Sequence, residues 1–345
     1  MGQALERREH TCGVGCCSTA SMGDTMADLP KSARINEEGP REGFQIEKGP
    51  ISTTRKIELI EALSETGLKQ IQVVSFVNPK RVPGMADAED VVRGFTPRPG
   101  VDYTALWLNE KGLERARATG KLTLQGKIPI YASEKFSLKN NNRTTAQEFE
   151  YARRVLESYL EHRIPVERGS VAAAFGCNYQ GDIPLQGILD IVRRIFELAD
   201  EYGVKLKELS FADTMAWATP LQIKRLLGAV RGKYPDIRLS LHLHDTRGMG
   251  IANAYAGLEM GAEMFDACVA GLGGCPFAAH KGAAGNVCTE DLVFMCQEMG
   301  IETGIDLDKM IECAQLAEDI VGHPLPGSVK LGGSLASLRH AVALA

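Results

Sequence analysis

The chain has 345 residues, 44% of them hydrophobic, enough to bury one large core or two smaller ones. A net charge of −5 gives no reason to expect a nucleic-acid partner, and no apolar run reaches the ~18–20 residues needed to span a bilayer. Nine cysteines without a scaffold spacing, and no secretory signal before them, point to a reducing, cytoplasmic setting in which most thiols are small buried hydrophobes.

Residues 1–31 are polar, carry both signs of charge and read as a disordered extension, or as the product of a start placed ahead of Met22 or Met26. Glu6 stands where a myristoylation signal wants serine or threonine. Cys12, Cys16 and Cys17 have only His10 nearby as a fourth ligand, too little for a zinc knuckle.

From residue 32 to 345 the pattern alternates as one domain. Strand-like runs are expected at ARINEEGP, LKQIQVVSF, VDYTALWL, GKIPIYAS, RGSVAAAF, ELSFAD, RLSLHLH and MFDACVAGL. Amphipathic helical stretches lie between them. In TRKIELIEALSETG, Ile57, Leu59, Ile60 and Leu63 share a face and Gly67 ends the run. Strands alternating with helices predict an α/β fold, a (β/α)8 TIM barrel, with LDKMIECAQLAEDIV and the residues beyond it as a C-terminal helical cap. A doubly wound open sheet would want GxGxxG after the first strand, and GPREG is not that.

Polar residues gather at the predicted strand ends. Arg41 and Glu42 end the first, Ser75 the second, Ser133 and Glu134 the fourth, Asp213 the sixth, His242 and His244 the seventh, and Gly273-Gly274-Cys275 the eighth. The C-terminal rim is where such barrels keep their chemistry. His242 and His244 project from one face of their strand, a ready pair of metal ligands. Glu42 and Asn286 are the expected oxygen donors. A mixed nitrogen and oxygen set suits Mg2+ or Mn2+ better than a closed structural zinc site. Asp245 points away from the metal and caps the next helix.

Arg41 falls on the opposite pleat from Glu42 unless the strand has already turned. It is read as a holder for an enolate or carboxylate oxygen, with a structural salt bridge as the bland alternative. Cys275, in a glycine-rich loop, is read as a general acid, with packing or a nucleophilic role as rivals. His280 and Lys281 read as solvated loop residues. ASEKFSLKNNNRT is an exposed polar loop whose Lys139, Asn140, Asn142 and Arg143 are placed to meet a large phosphorylated ligand, or simply solvent.

Together GPREGFQIEK, SFVNPKRVPGMAD, ASEKFSLKNNN, AAFGCNYQGDI, ADT, HLHDTRG, VAGLGGCPF, AGN and TEDLVFM resemble the 3-hydroxy-3-methylglutaryl-CoA lyase family, metal-dependent barrels of the lyase and Claisen type. The resemblance implies retro-Claisen cleavage of a 3-hydroxyacyl-CoA to acetyl-CoA and a keto acid, acetoacetate if the substrate is hydroxymethylglutaryl-CoA, as in leucine catabolism. The metal takes the substrate's hydroxyl and carboxylate oxygens. It implies Arg41 at the enolate, Cys275 in proton transfer, Asp213 as an active-site aspartate, and Glu42, His242, His244 and Asn286 as ligands. Gln45, Lys48, Gln72, Ser75, Lys139, Asn140 and Arg247 become candidates for substrate and CoA contact. A homodimer is expected.

Departures from the family pattern cluster around one pocket. Glu42 replaces aspartate, Gln72 a catalytic glutamate, Arg247 an aromatic residue and Ser170 a common tyrosine. Arg247, reaching the pocket, would favour a further carboxylate, as would suit a citramalyl- or malyl-type ester. A condensing synthase and an inactive relative are the other readings. The first lacks its usual asparagine after the second histidine, and the second would have no use for the retained histidines, Asn286, Arg41 and Cys275.

Overall fold

The computed structural model describes residues 29–47, 49–273 and 285–344. Eight parallel strands form one curled sheet: β1 (Arg34–Glu37), β2 (Gln70–Ser75), β3 (Asp102–Leu106), β4 (Gly126–Tyr131), β5 (Val166–Ala172), β6 (Glu208–Ala212), β7 (Arg238–His242) and β8 (Met264–Ala267). Their order is β3-β2-β1-β8-β7-β6-β5-β4, so β1 pairs with β8 and the sheet curls into the expected barrel with β3 and β4 as its two ends. At the remaining joint, between β3 and β4, no strand ladder is formed among the described residues. The segment ahead of β4 reaches across instead, with Thr123 N donating to Tyr103 O at 2.8 Å.

The apolar core lies between sheet and helices. Leu59, Ile60 and Leu63 of the helix Thr53–Ser64 are buried, as are Ile188, Val192 and Ile195 of the helix Leu185–Glu201. They meet outward strand residues such as Leu209, Phe211, Leu239 and Leu241. The first helix begins one residue before its predicted start because Ser52 caps it, its Oγ accepting from Arg55 N at 3.3 Å. It ends at Ser64, and Gly67 turns the chain with φ of +97°.

The barrel interior is polar. Asn36 Nδ2 donates to Asp266 Oδ1 at 3.0 Å, Arg34 donates to Asn36 and Gln70, and Arg168 pairs with Glu208. Inward positions alternating with buried apolar ones explain why several strands read as apolar runs carrying isolated polar residues.

After β8 the helices Thr289–Glu298 and Leu307–Val321 pack together, and the second also lies against Thr53–Ser64. Val329–Gly332 and Leu335–Leu344 come last. At the other end, the carbonyl of Lys31 accepts from Glu302 N at 2.9 Å. The readings made for residues 1–28 lie outside the described residues. No helix among the described residues is long and apolar enough to cross a membrane.

Candidate active site

The seventh strand carries the two histidines as its alternation requires. Leu239, Leu241 and Leu243 are buried on the helix side, so His242 and His244 face the lumen. Their ring centroids are 5.1 Å apart. His244 Nδ1 lies 2.7 Å from the carbonyl oxygen of Asp213. A carbonyl only accepts, so Nδ1 carries the proton and Nε2 keeps a lone pair toward Glu42. His242 also directs Nε2 toward Glu42, while its Nδ1 lies 3.5 Å from Asp266 Oδ2 and 3.7 Å from Glu38 Oε2. Asp245 does cap the next helix, accepting from Gly250 N at 2.6 Å.

The first strand stops earlier than the predicted run ARINEEGP suggests. Pro40 has no N–H to give a ladder, and Glu38 leaves the extended region with ψ near 0°. Residues Gly39–Gly43 form one wide helical turn. Gly39 is required there, since a Cβ would lie 2.5 Å from Glu37 Oε1 and 2.9 Å from Val269 Cγ1. The turn cancels the expected separation of Arg41 and Glu42 on opposite pleats: Arg41 Nη1 is 2.8 Å from Glu42 Oε2. Arg41 also donates through Nη2 to Glu38 and through Nε to Gln72. Burial alone would raise the Glu42 carboxyl, but Arg41 and His242 overcome it and hold the group well below its ordinary range.

Glu38 and Asp266 are site residues that the sequence reading missed. Both line the cavity beside His242. Spacing did not reveal them, since Glu38 lies where β1 has already left the extended conformation and Asp266 sits on a strand covered on both faces. His242 is pushed well above its ordinary range: burial opposes its charge, but Glu42, Asp266 and Glu38 outweigh burial. A spot that carboxylates make this favourable to positive charge suits a divalent cation.

Asn286 supplies an independent sign of a metal. It pairs by backbone with His244, and its Nδ2 donates to the Leu272 carbonyl at 3.2 Å. Its Oδ1 is buried and has no partner among the described residues. Orphaned buried oxygens are costly unless something outside the protein satisfies them. Glu42 Oε1 lies 3.4 Å from His244 Nε2 and 3.8 Å from His242 Nε2. These three residues with the Asn286 amide match the donor set that a hard or borderline divalent ion takes.

The cluster opens into a cavity of about 700 Å³ that passes the β3–β4 joint and reaches the helix Thr145–Glu161. Gln45, Gln72 and Asn140 line it, with Trp107, Tyr131, Arg143 and Tyr151 farther along. Ser75 stands behind Gln45, donating to its Oε1 at 3.2 Å. Lys139 lies over the Tyr179 ring at 4.2 Å and Arg143 over Tyr151 at 3.6 Å. Arg247 does not line the cavity; its Nη1 donates to the carbonyls of Met215 and Ala216 at 3.1 and 2.8 Å. The Asp213 carboxylate accepts from Trp217 N and Ala218 N through Oδ1, while buried Oδ2 has no partner among the described residues. Lys48, Cys275, His280 and Lys281 lie outside the described residues.

Residues 33–317 match the HMGL-like family. The chain is 41% identical over 304 residues to the mouse protein named 3-hydroxy-3-methylglutaryl-CoA lyase, cytoplasmic, covering 88% of this chain and 85% of that one. It is 40% identical over 315 residues to human mitochondrial hydroxymethylglutaryl-CoA lyase, covering 90% and 92%. A solved HMG-CoA lyase of Acinetobacter baumannii, in complex with coenzyme A and 3-methylmalate, superposes with a TM-score of 0.78 at 36% identity, covering 88% of this chain and 96% of that one. With its barrel, its histidine pair and these likenesses over nearly the whole length, the chain belongs to the HMGL-like family of carbon–carbon lyases.

Proposed function

We propose that the protein is a lyase dependent on Mg2+ or Mn2+ that cleaves 3-hydroxy-3-methylglutaryl-CoA, or a close 3-hydroxyacyl-CoA, into acetyl-CoA and a keto acid. The observation that carries this reading is the convergence of Glu42, His242 and His244, with Asn286 bridged to His244 and its Oδ1 without a partner among the described residues. A bound divalent ion would act as a Lewis acid that orients the substrate's hydroxyl and carboxylate oxygens.

The reaction needs only redistribution within the ester. The hydroxyl gives up its proton, the C2–C3 bond breaks toward the thioester, and the resulting enolate takes a proton at C2. Arg41, fixed by Glu38, Glu42 and Gln72, offers a preorganised positive charge for the enolate oxygen. Asp213 acts through its backbone, holding the His244 tautomer. Cys275, from its glycine-rich loop, is assigned the proton returned to C2. Gln45 and Asn140 in the cavity are assigned substrate and CoA contact, with Lys48, Ser75, Lys139 and Arg247 as supports around it.

A second reading, cleavage of a citramalyl- or malyl-type ester, is favoured by Gln72, which cannot ionise, and by the 3-methylmalate in the Acinetobacter relative's complex. A cytoplasmic location is supported by the name of the mouse relative, and a homodimer by family resemblance.

The test is release of acetyl-CoA by purified protein with Mn2+ from hydroxymethylglutaryl-, citramalyl- and malyl-CoA, with Cys275→Ala removing most of it. Tight metal binding with no ester cleaved would sink the lyase reading. Condensation of acetyl-CoA with a keto acid in the absence of cleavage would establish a synthase instead.

A further inference from the structure

Three cationic side chains line the cavity within the barrel: Arg41, Arg168 and Lys127. Two are matched by acids. Arg41 is held by Glu38 and Glu42, and Arg168 Nε meets Glu208 Oε1 at 2.7 Å. Lys127 differs from both. Among the described residues, no carboxylate lies within 4.0 Å of its Nζ and no acceptor hydrogen-bonds it. It rises from β4 next to Arg168, its register partner on β5.

An ammonium held inside a barrel lumen without a protein partner is rare, because its desolvation is not repaid. Burial pushes the Lys127 ammonium below its ordinary range; Glu38 opposes the shift, and Arg168 and Arg41 add to it. The cavity wall nearby is built of short side chains, Ser170, Ala172, Ser210 and Ala212, which leave room for a ligand. Arg247 is spent on the Met215 and Ala216 carbonyls, so it is not the cation that faces this space.

We propose that Lys127 binds a second carboxylate on the acyl group, so that the preferred substrate is a 3-hydroxyacyl-CoA carrying two free carboxylates. This rests on the lyase reading, in which the first carboxylate goes to the metal site. With citryl-CoA as the probe, the C3 hydroxyl loses its proton and the C2–C3 bond breaks. C2 then gains a proton, and the products are oxaloacetate and acetyl-CoA with no further reactant.

Citryl-CoA is compared with two esters that each lack one carboxylate. Citramalyl-CoA has methyl in place of carboxymethyl, and hydroxymethylglutaryl-CoA has methyl in place of carboxylate. The wild-type kcat/KM should favour citryl-CoA over both by about tenfold or more, as one charge-assisted hydrogen bond supplies. Lys127→Met should erase most of that ratio through KM, and Lys127→Arg should restore part of it. An unchanged ratio in Lys127→Met overturns the proposal, as does a parallel fall for all three esters with a lowered Tm, the mark of a structural lysine. If no ester is cleaved, the lyase reading fails by itself and binding decides. Oxaloacetate should then bind the Mn2+-loaded protein more tightly than pyruvate by about tenfold, and lose that margin in Lys127→Met. Equal binding overturns the proposal.

Discussion

The carbonyl oxygen of Asp213 sits 2.7 Å from Nδ1 of His244, and this backbone contact decides which ring nitrogen is free. The tautomer of His244 is thus set by main chain rather than by a side chain that mutation could remove. Asp213 N in turn donates to His242 O, so the sixth strand's end and the histidine strand hold each other in register.

Asn286 makes the sharpest test of the metal site. Because its Oδ1 has no partner among the described residues, Asn286→Ala should weaken Mn2+ binding by about 10–100-fold while costing the metal-free fold only about 1 kcal/mol. Calorimetric titration with Mn2+, beside metal-free thermal melts, separates the two effects. Unaltered affinity would remove Asn286 from the ligand set.

Arg41→Lys keeps the charge and loses the fork. A single ammonium cannot reach Glu38, Glu42 and Gln72 together, so the fixed charge at the enolate oxygen is lost. The expected outcome is a fall in kcat of about 10²–10³ with KM little changed. Steady-state kinetics on the best ester shows it; a variant as active as wild type would leave Arg41 with only its salt bridges.

Gly273 packs under the site with φ of +88°, and a Cβ there would lie 2.6 Å from Asn286 Nδ2 and 3.0 Å from Glu42 Cγ. Gly273→Ala should cost about 1–3 kcal/mol of stability and weaken metal binding in step, since two ligands must move. By contrast Glu42→Asp should keep measurable metal binding, because the shorter carboxylate still lies in the turn between Arg41 and the histidines. Collapse of affinity in that variant would argue that Glu42 is more than a substitute for aspartate.

Glu290 gives a pH dependence of stability away from the site. Burial pushes its carboxyl up to about 7 from an ordinary 4.5, against hydrogen bonds from Cys288 and the Ala270 amide. Between those values the native state holds a proton that the unfolded chain has released, so stability declines as pH rises from about 4.5 through 7. The contribution is of order 3 kcal/mol, complete below the lower value and lost above the upper one. Urea midpoints from pH 5 to 8 should fall more steeply in the wild type than in Glu290→Gln. Parallel slopes would place the dependence elsewhere.

Much of the site was legible because β7 is amphipathic in a barrel-specific way: leucines at 239, 241 and 243 mark the helix side, leaving the histidines inward. The barrel itself could be read from strands alternating with helices. What stayed hidden was the content of the lumen. Glu38, Lys127, Arg168 and Asp266 sit on or at the ends of strands covered on both faces, where a polar residue carries no mark of whether it faces lumen, helix or barrel end. The turn at Gly39–Gly43 was hidden for a different reason. GPREG follows ARINEE, a strand already rich in charge, so hydropathy does not mark where the strand stops, and only proline's missing donor with the backbone setting of Glu38 ends it. Arg247 is the converse case: a cation beside a histidine motif invites a role in binding, while in the fold its Nη1 donates to two backbone carbonyls.

Seven of the eight neighbouring strand contacts are laddered, and the eighth, β3 to β4, is bridged by Thr123, whose N donates to Tyr103 O and whose Oγ1 donates to Asp102 Oδ1. Such a ring resembles a split collar more than a closed tube. Local opening concentrates where cross-links are fewest, so amides flanking this gap should exchange with solvent sooner than those of β5, β6 and β7. Because the cavity wall runs along the same gap, loosening this one joint would widen the cavity sideways, while Glu42 after β1 and the histidines along β7 stay clamped on the far side of the ring.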